Sequence, residues 1–192
     1  MKDGAILAGE QHMRVKRCRD GLMLYNSSDT YIGRSLDLYG EYSYGEANLF
    51  ARVSRAGMVA VDVGANIGCH TLTMARLVGP EGAVIAFEPQ RIVYQNLCAN
   101  IALNALGNVH AVNAAAGTGA GTSSVPAIDY AAAGNSGDIA LNGAEGGEAV
   151  QIAALDSVLL DHCHLIKIDV EGMEYDVLRG GEQTIAQHRP AL

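Results

Sequence analysis

"VDVGANIGCH", Val61 to His70, is the stretch on which the fold turns. The valine-rich run "MVAVDVG" from Met58 reads as a buried parallel strand, and it stops on an acid followed by two glycines that bracket an asparagine. In an open parallel sheet the first strand-to-helix turn passes closest to a ligand, and Gly64 and Gly68 remove side chains there. Asn66 takes the place of the middle glycine of the more usual turn, and asparagine is the non-glycine residue that best tolerates a left-handed backbone. Alone, such a turn is weak evidence, because a tight strand–helix connection needs no ligand.

Working outward, "CHTLTMARLVG" predicts a helix closing on Gly79-Pro80, and "AVIAFEP" predicts the next strand. "RIVYQNLCANIALNAL" places Val93, Leu97 and Ile101 on one helix face, while "NVHAVNAAAG" and "HLIKIDVEG" read as a third and a fourth strand. Upstream, Ser43 and Glu46 stand at capping-box spacing and Gly57 offers a left-handed stop, predicting a helix from Glu46 to Arg55. This alternation predicts an α/β fold with a doubly wound, mostly parallel sheet.

Residues 14–26, "RVKRCRDGLMLYN", predict a hairpin with Asp20-Gly21 as its two-residue loop. Its cations Arg14, Lys16, Arg17 and Arg19 read as a solvated strand face, with a binding patch as the alternative. Residues 1–45 are expected to supply N-terminal strands and a segment covering the site, and residues 46–192 the main domain. From Gly117 to Gly147 the composition shifts to Gly, Ala, Ser and Asn, with strand hints at Val125–Ile128 and Ile139–Leu141. This reads as a substrate-facing insertion, in which Asn135 and Asp138 are acceptor-contact candidates or simple turn formers.

Composition narrows the function. At 192 residues and 49% hydrophobic content the chain can bury one sizeable core, and a net charge of −8 disfavours nucleic acid, whose affinity rests on Lys and Arg. Cys18, Cys69, Cys98 and Cys163 form no CxxC pair, which suggests neither a disulfide framework nor a zinc knuckle and fits a reducing cytoplasm. "AILAG" is only a brief apolar run, so neither a signal peptide nor a membrane span is expected. "HCH", His162 to His164, offers two ligands on one strand face and no further Cys or His nearby, so a polar strand entry is preferred to a metal site.

Glu88 ends the second strand twenty residues beyond Gly68, the spacing at which an acid accepts hydrogen bonds from ribose hydroxyls. Asp62 lies at the mouth of the turn, which lacks the GxGxxG form. An anion there matches a pyrophosphate poorly and a cationic cofactor well.

"VDVGANIGCHTL", "AFEP", "NAAAG" and "LIKIDVEGMEYDVLRGG", in this order and at these intervals, resemble the FkbM family of S-adenosylmethionine-dependent methyltransferases from about Tyr25 to the C-terminus. The pairing of GANIG with KIDVEG carries the specificity. The resemblance implies a Rossmann-like class I methyltransferase fold with S-adenosyl-L-methionine as cofactor. It places Asp62, Gly64, Asn66 and Gly68 around the methionine part, with Thr71 at the helix start, and Glu88 on the ribose. Asn113 would lie near the adenine or turn the chain. Tyr39, Glu41 and Tyr42 would approach the cofactor from the N-terminal side, or their rings would pack in the core.

Asp169 and Glu171 close the fourth strand where the sulfonium is expected. Methyl transfer is an in-line displacement, so positioning supplies much of the rate and a carboxylate within reach can accept a hydroxyl proton. Asp169 is therefore expected to contact cofactor or substrate, and Glu171 to orient the loop or acceptor. The alternative sets Glu171 and Glu174 in the first turn of a following helix. The family usually continues past "RP" with further strands, whereas this chain ends at Leu192. The expectation is therefore missing C-terminal strands and an uncovered sheet edge, as in a truncated fragment, unless a second copy in a homodimer or the N-terminal strands cover it. The leading reading is O-methylation of a small-molecule or sugar hydroxyl. An NAD-dependent dehydrogenase and an inactive cofactor-binding module stand beside it.

Overall fold

The computed structural model describes residues 6–134 and 147–192. The expectations at Asn135, Asp138 and Ile139–Leu141 fall outside them. Strands β1 (Ile6–Ala8), β2 (Met13–Cys18) and β3 (Gly21–Asn26) form an antiparallel N-terminal sheet. Cys18 pairs with Gly21, so the loop is Arg19-Asp20, one residue earlier than expected. Gly21 is needed inside the strand instead. Its φ is +131°, and a Cβ there would lie 2.0 Å from Asn104 Oδ1.

Two helices follow, α1 (Ile32–Tyr39) and α2 (Tyr44–Val53). Helix α1 was not anticipated. Asp29 Oδ1 accepts the Tyr31 and Gly33 N–H groups at its start, and Gly40, with φ +70°, closes it. The buried Lys16 donates Nζ to Leu36 O at 3.0 Å and Asp37 O at 2.7 Å, satisfying carbonyls at the negative helix end. Arg19 pairs with Asp20 and Glu41, and Arg14 donates to Gln11 O and Met13 O. These three cations of the expected solvated face are thus engaged within the protein. The capping box before α2 does not form. Ser43 makes no side-chain cap, and Glu46 turns to His70 instead.

The main sheet takes β4 (Val59–Val63), β5 (Ala83–Phe87), β6 (Val109–Val112) and β10 (Leu165–Ile168), with helices α3 (Cys69–Val78) and α4 (Arg91–Leu103) in the crossovers. Its order is β10-β4-β5-β6, all parallel. Val61, Val63, Ile85, Phe87 and Ile166 bury one cluster, and Ala60, Val84, Met74 and Val78 another. Both faces are covered, which explains the near-continuous aliphatic runs. The chain lays down β4, β5 and β6 in one direction and then returns to set β10 on the other side of β4. That reversal opens a crevice at the carboxyl ends of β4 and β10.

The third expected strand divides. Beyond β6, Asn113 turns the chain into β7 (Ala115–Ala116), which pairs parallel with β9 (Glu148–Ala153), itself antiparallel to β8 (Gly121–Val125). The strand expected at Val125–Ile128 stops at Val125 because Pro126 has no N–H for the ladder. Helices α5 (Glu174–Gly180) and α6 (Glu182–His188) end the chain. Ala191 then pairs with Leu165 as a parallel bridge, with Ile166 N–H donating to Ala191 O at 2.8 Å. The β10 edge expected to be bare is covered at that point. Among the described residues, no helix is long and apolar enough to cross a membrane.

The open edge of β3 is closed by side chains. Asn104 accepts Leu22 N–H at 2.9 Å and donates to Leu22 O at 2.7 Å, and Asn100 does the same for Leu24 at 2.6 and 3.0 Å. Asn100 also donates to Ile67 O at 2.8 Å, tying the hairpin to the glycine turn. One helical turn of four residues rises about 6 Å, close to the two-residue repeat of a strand, so the two amides meet alternate strand residues. Asn100→Asp removes both donated bonds and buries a carboxylate, and is expected to cost about 2–4 kcal/mol in urea unfolding. A loss below about 1 kcal/mol would show that the amide does not fasten the hairpin.

Candidate functional site

The turn after β4 holds three left-handed residues, Gly64 (φ +77°), Asn66 (φ 50°) and Gly68 (φ +94°). At Gly64 a Cβ would lie 2.0 Å from Asp169 O, so bare backbone is required where the ends of β4 and β10 meet. At Gly68 it would meet Leu97 Cδ1 at 2.7 Å, a packing constraint beneath the turn. The cleft above the crevice is lined by Gly64, Asn66, Glu88, Gln90, Asp169 and Glu171, with Tyr42 and His70 on its N-terminal wall.

Glu88 is buried at the end of β5. Its Oε2 accepts Asn66 N–H and its Oε1 accepts Gln90 N–H, both at 2.9 Å. Each oxygen keeps a second lone-pair site, aimed by two fixed backbone bonds. Burial pushes its pKa up to about 7, against the lowering effect of the Gln90 and Asn66 amides and of Lys167. Asn113, placed near the adenine by the resemblance, does not line the cleft. Its Nδ2 donates to Glu88 O at 2.9 Å and Pro89 O at 3.1 Å, so it turns the chain and fixes the backbone of the acid.

The structure divides the other candidates. Asp62 is 0% exposed, and Thr71 Oγ1 donates to its Oδ2 at 2.6 Å, so both lie beneath the cleft floor rather than at its mouth. Glu41 pairs with Arg19 at 2.8 Å and Tyr39 is 75% exposed; neither lines the cleft, whereas Tyr42 does. Asp169, with its side chain 68% exposed, and Glu171 both line the rim. Glu171 precedes α5, whose first residue is Glu174, so the helix-turn alternative holds for Glu174 alone.

Lys167 was not singled out in the sequence, yet it joins the two halves of the site. It pairs with Asp62 in strand register, and its Nζ donates to Gly64 O at 2.7 Å. The same ammonium stands 3.1 Å from Asp62 Oδ1 and 3.5 Å from Asp169 Oδ2. Asp62 Oδ1 has no aligned hydrogen bond, so that contact is chiefly Coulombic. Burial would lower the Lys167 pKa, but Asp62 and Asp169 outweigh it and raise it. The raised value makes the stabilisation fully present below the ordinary 10.5 and lost only as pH climbs above it.

His70 was missed as well. Its Nε2 shares a hydrogen bond with Glu46 Oε2 at 3.1 Å, and its ring packs against Tyr42 and Phe50 with centroids 5.8 and 5.2 Å away. In the "HCH" stretch, His164 Nδ1 accepts Val59 N–H at 3.0 Å and Cys163 is buried. No group of three or more His, Cys, Asp or Glu fit to hold a metal occurs among the described residues.

A strand order that reverses beside β4, with a bare turn on one side of the crevice and a backbone-braced acid on the other, is the architecture of Rossmann-like α/β proteins that hold nucleosides. The chain belongs to the FkbM methyltransferase family: the family model described as "Methyltransferase FkbM domain" matches residues 62–192. Methyltransferase sdnD of Sordaria araneosa is 30% identical over 182 residues, covering 77% of this chain and 67% of that one. Among solved structures, M. jannaschii TYW2 in complex with AdoMet is 28% identical with a TM-score of 0.43, over 56% of this chain and 46% of that one. A transferase of Pyrococcus horikoshii is 22% identical with a TM-score of 0.44, over 56% of this chain and 38% of that one. The chain thus spans less than half the length of these two solved chains.

Proposed function

We propose that this protein binds S-adenosylmethionine in the crevice and transfers its methyl group to a hydroxyl oxygen of a small molecule or a sugar. The observation that carries the cofactor assignment is Glu88, whose two oxygens are each fixed by one backbone N–H and face the cleft with acceptor sites left for a pair of ribose hydroxyls. Asn66, Gly64 and Gln90 would line the remainder of the nucleoside, and the cofactor would supply an electrophilic methyl on a cationic sulfur. The residues fit such a group. Gly64 leaves the backbone bare, and acids at Glu88, Asp169 and Glu171 outnumber the cleft's lysine, Lys167.

For the acceptor, the supporting feature is the exposed Asp169 carboxylate beside the Gly64 turn, able to receive a hydroxyl proton while the oxygen attacks in line. Small uncharged acceptors suit the acidic rim better than phosphate-rich polymers do.

Calorimetric titration with S-adenosylhomocysteine tests the reading directly. Ribose hydroxyls bond more strongly to a carboxylate than to a carboxylic acid, and Glu88 titrates at about 7. The affinity is therefore expected to fall about tenfold from pH 8 to pH 6 as the acid takes up its proton. No binding at pH 8, or binding of a nicotinamide dinucleotide instead, would overturn the assignment. Once binding is established, transfer to a panel of hydroxyl, amine and carboxylate acceptors separates O-methylation from its alternatives.

A further inference from the structure

The charges beside the Gly64 turn are not equivalent. Asp62, the acid that the sequence sets next to the cofactor, is fully buried, and Lys167 and Thr71 oppose it at 3.1 and 2.6 Å. Its charge is absorbed below the floor. Lys167 is buried too, and its ammonium faces Gly64 O, Asp62 and Asp169. One cation between two carboxylates leaves the group with a single net negative charge, and the member that opens into the cleft is Asp169, with its side chain 68% exposed. Asp169 is also the residue whose backbone oxygen abuts Gly64, so its carboxylate stands beside the turn rather than at the ribose end held by Glu88.

We propose that Asp169, steadied by Lys167, is the residue that lets this cleft distinguish the charged donor from its neutral product. The inference rests on the reading of the cleft as an S-adenosylmethionine site. On transfer, the acceptor oxygen would bond to the methyl carbon, the C–S bond would break with its electron pair kept by sulfur, and the acceptor proton would pass by way of the Asp169 carboxylate to water. The sulfonium becomes a neutral thioether, and the attraction to Asp169 disappears with it. Glu88 grips the ribose in both forms and takes no part in the distinction. Glu171 shares the rim, and the titratable groups facing it from the other wall are Tyr31, Tyr42, Cys69 and His70, the last hydrogen-bonded to Glu46. Lys167 keeps the group at one negative charge rather than two, enough to favour a cation without trapping it.

The test needs no acceptor. Wild type and Asp169→Asn are each titrated with S-adenosylmethionine and with S-adenosylhomocysteine, at low and at high salt. The exposed side chain makes the variant structurally mild. Asp169→Asn is expected to weaken S-adenosylmethionine about fivefold, given solvent screening of a half-open pair, and to leave S-adenosylhomocysteine within about twofold. In wild type the preference for the sulfonium is expected to shrink as salt rises. An unchanged ratio of the two dissociation constants in Asp169→Asn, with both ligands still binding, overturns this inference and leaves the cofactor site standing. Failure of both ligands to bind wild type removes the cofactor site and this inference together.

Discussion

Lys167→Met is expected to lower the unfolding free energy by about 3–5 kcal/mol, a large share of the roughly 5–15 kcal/mol that holds a domain together. The reason is the asymmetry of a buried ion pair. Forming it brings little net gain, because desolvation opposes attraction, but removing one partner leaves the other charged in a medium that cannot solvate it. Asp62 has 0% exposure and lies directly opposite Lys167 in the β4–β10 register, so methionine would strand it. Gly64 O would lose its 2.7 Å donor as well. The double variant Asp62→Asn/Lys167→Met removes both charges and is expected to recover most of the loss. Urea unfolding of the three proteins decides the matter. A single variant within about 1 kcal/mol of wild type would mean that water reaches the pair.

Gly64→Ala is expected to cost about 2–4 kcal/mol and to abolish measurable S-adenosylhomocysteine binding. Two effects combine. A φ of +77° is strained for any residue bearing a Cβ, and the Cβ would stand 2.0 Å from Asp169 O, a main-chain atom that cannot swing aside. The turn must then separate from the end of β10, which dissolves the crevice. Gly57 is the control, since its φ is +82° but nothing lies within 4 Å of a Cβ there. Gly57→Ala should show the strain alone, about 1–2 kcal/mol, with binding intact. Equal effects at the two positions would place the requirement in φ and not in the contact with Asp169.

Much of this architecture is legible in the sequence because its central strands are buried on both faces. Runs such as "VAVDV" and "AVIAF" announce themselves without alternation, and the helix between them, α3, closes on Gly79. The place of Glu88, at the end of β5 beside the glycine turn, follows from strand and turn lengths alone. The role of Lys167 did not, because a lysine between two isoleucines reads as one polar ladder position. The signal was nevertheless present: "VDV" and "IKI" each carry one charge between aliphatics, and two buried parallel strands set side by side must face those charges to each other. Helix α1 carries local signals in Asp29 at its start and Gly40 at its end, but part of its C-terminal capping is long-range. Lys16, which closes its C-terminal end, comes from β2, twenty residues before Leu36. Asp62 was drawn toward the cofactor for the same reason, since its burial under Lys167 depends on a strand more than a hundred residues later.

The asparagine clasp on β3 also governs how the amino-terminal hairpin can be seated. Amides one helical turn apart engage Leu22 and Leu24, so sliding by one residue would offer them the wrong face of the ribbon. Sliding by two would carry a side chain into the place where Gly21 touches Asn104. The hairpin therefore has a single berth against α4, and the Leu22 and Leu24 amides on its outer edge are hidden from any neighbouring molecule seeking a strand to zip onto.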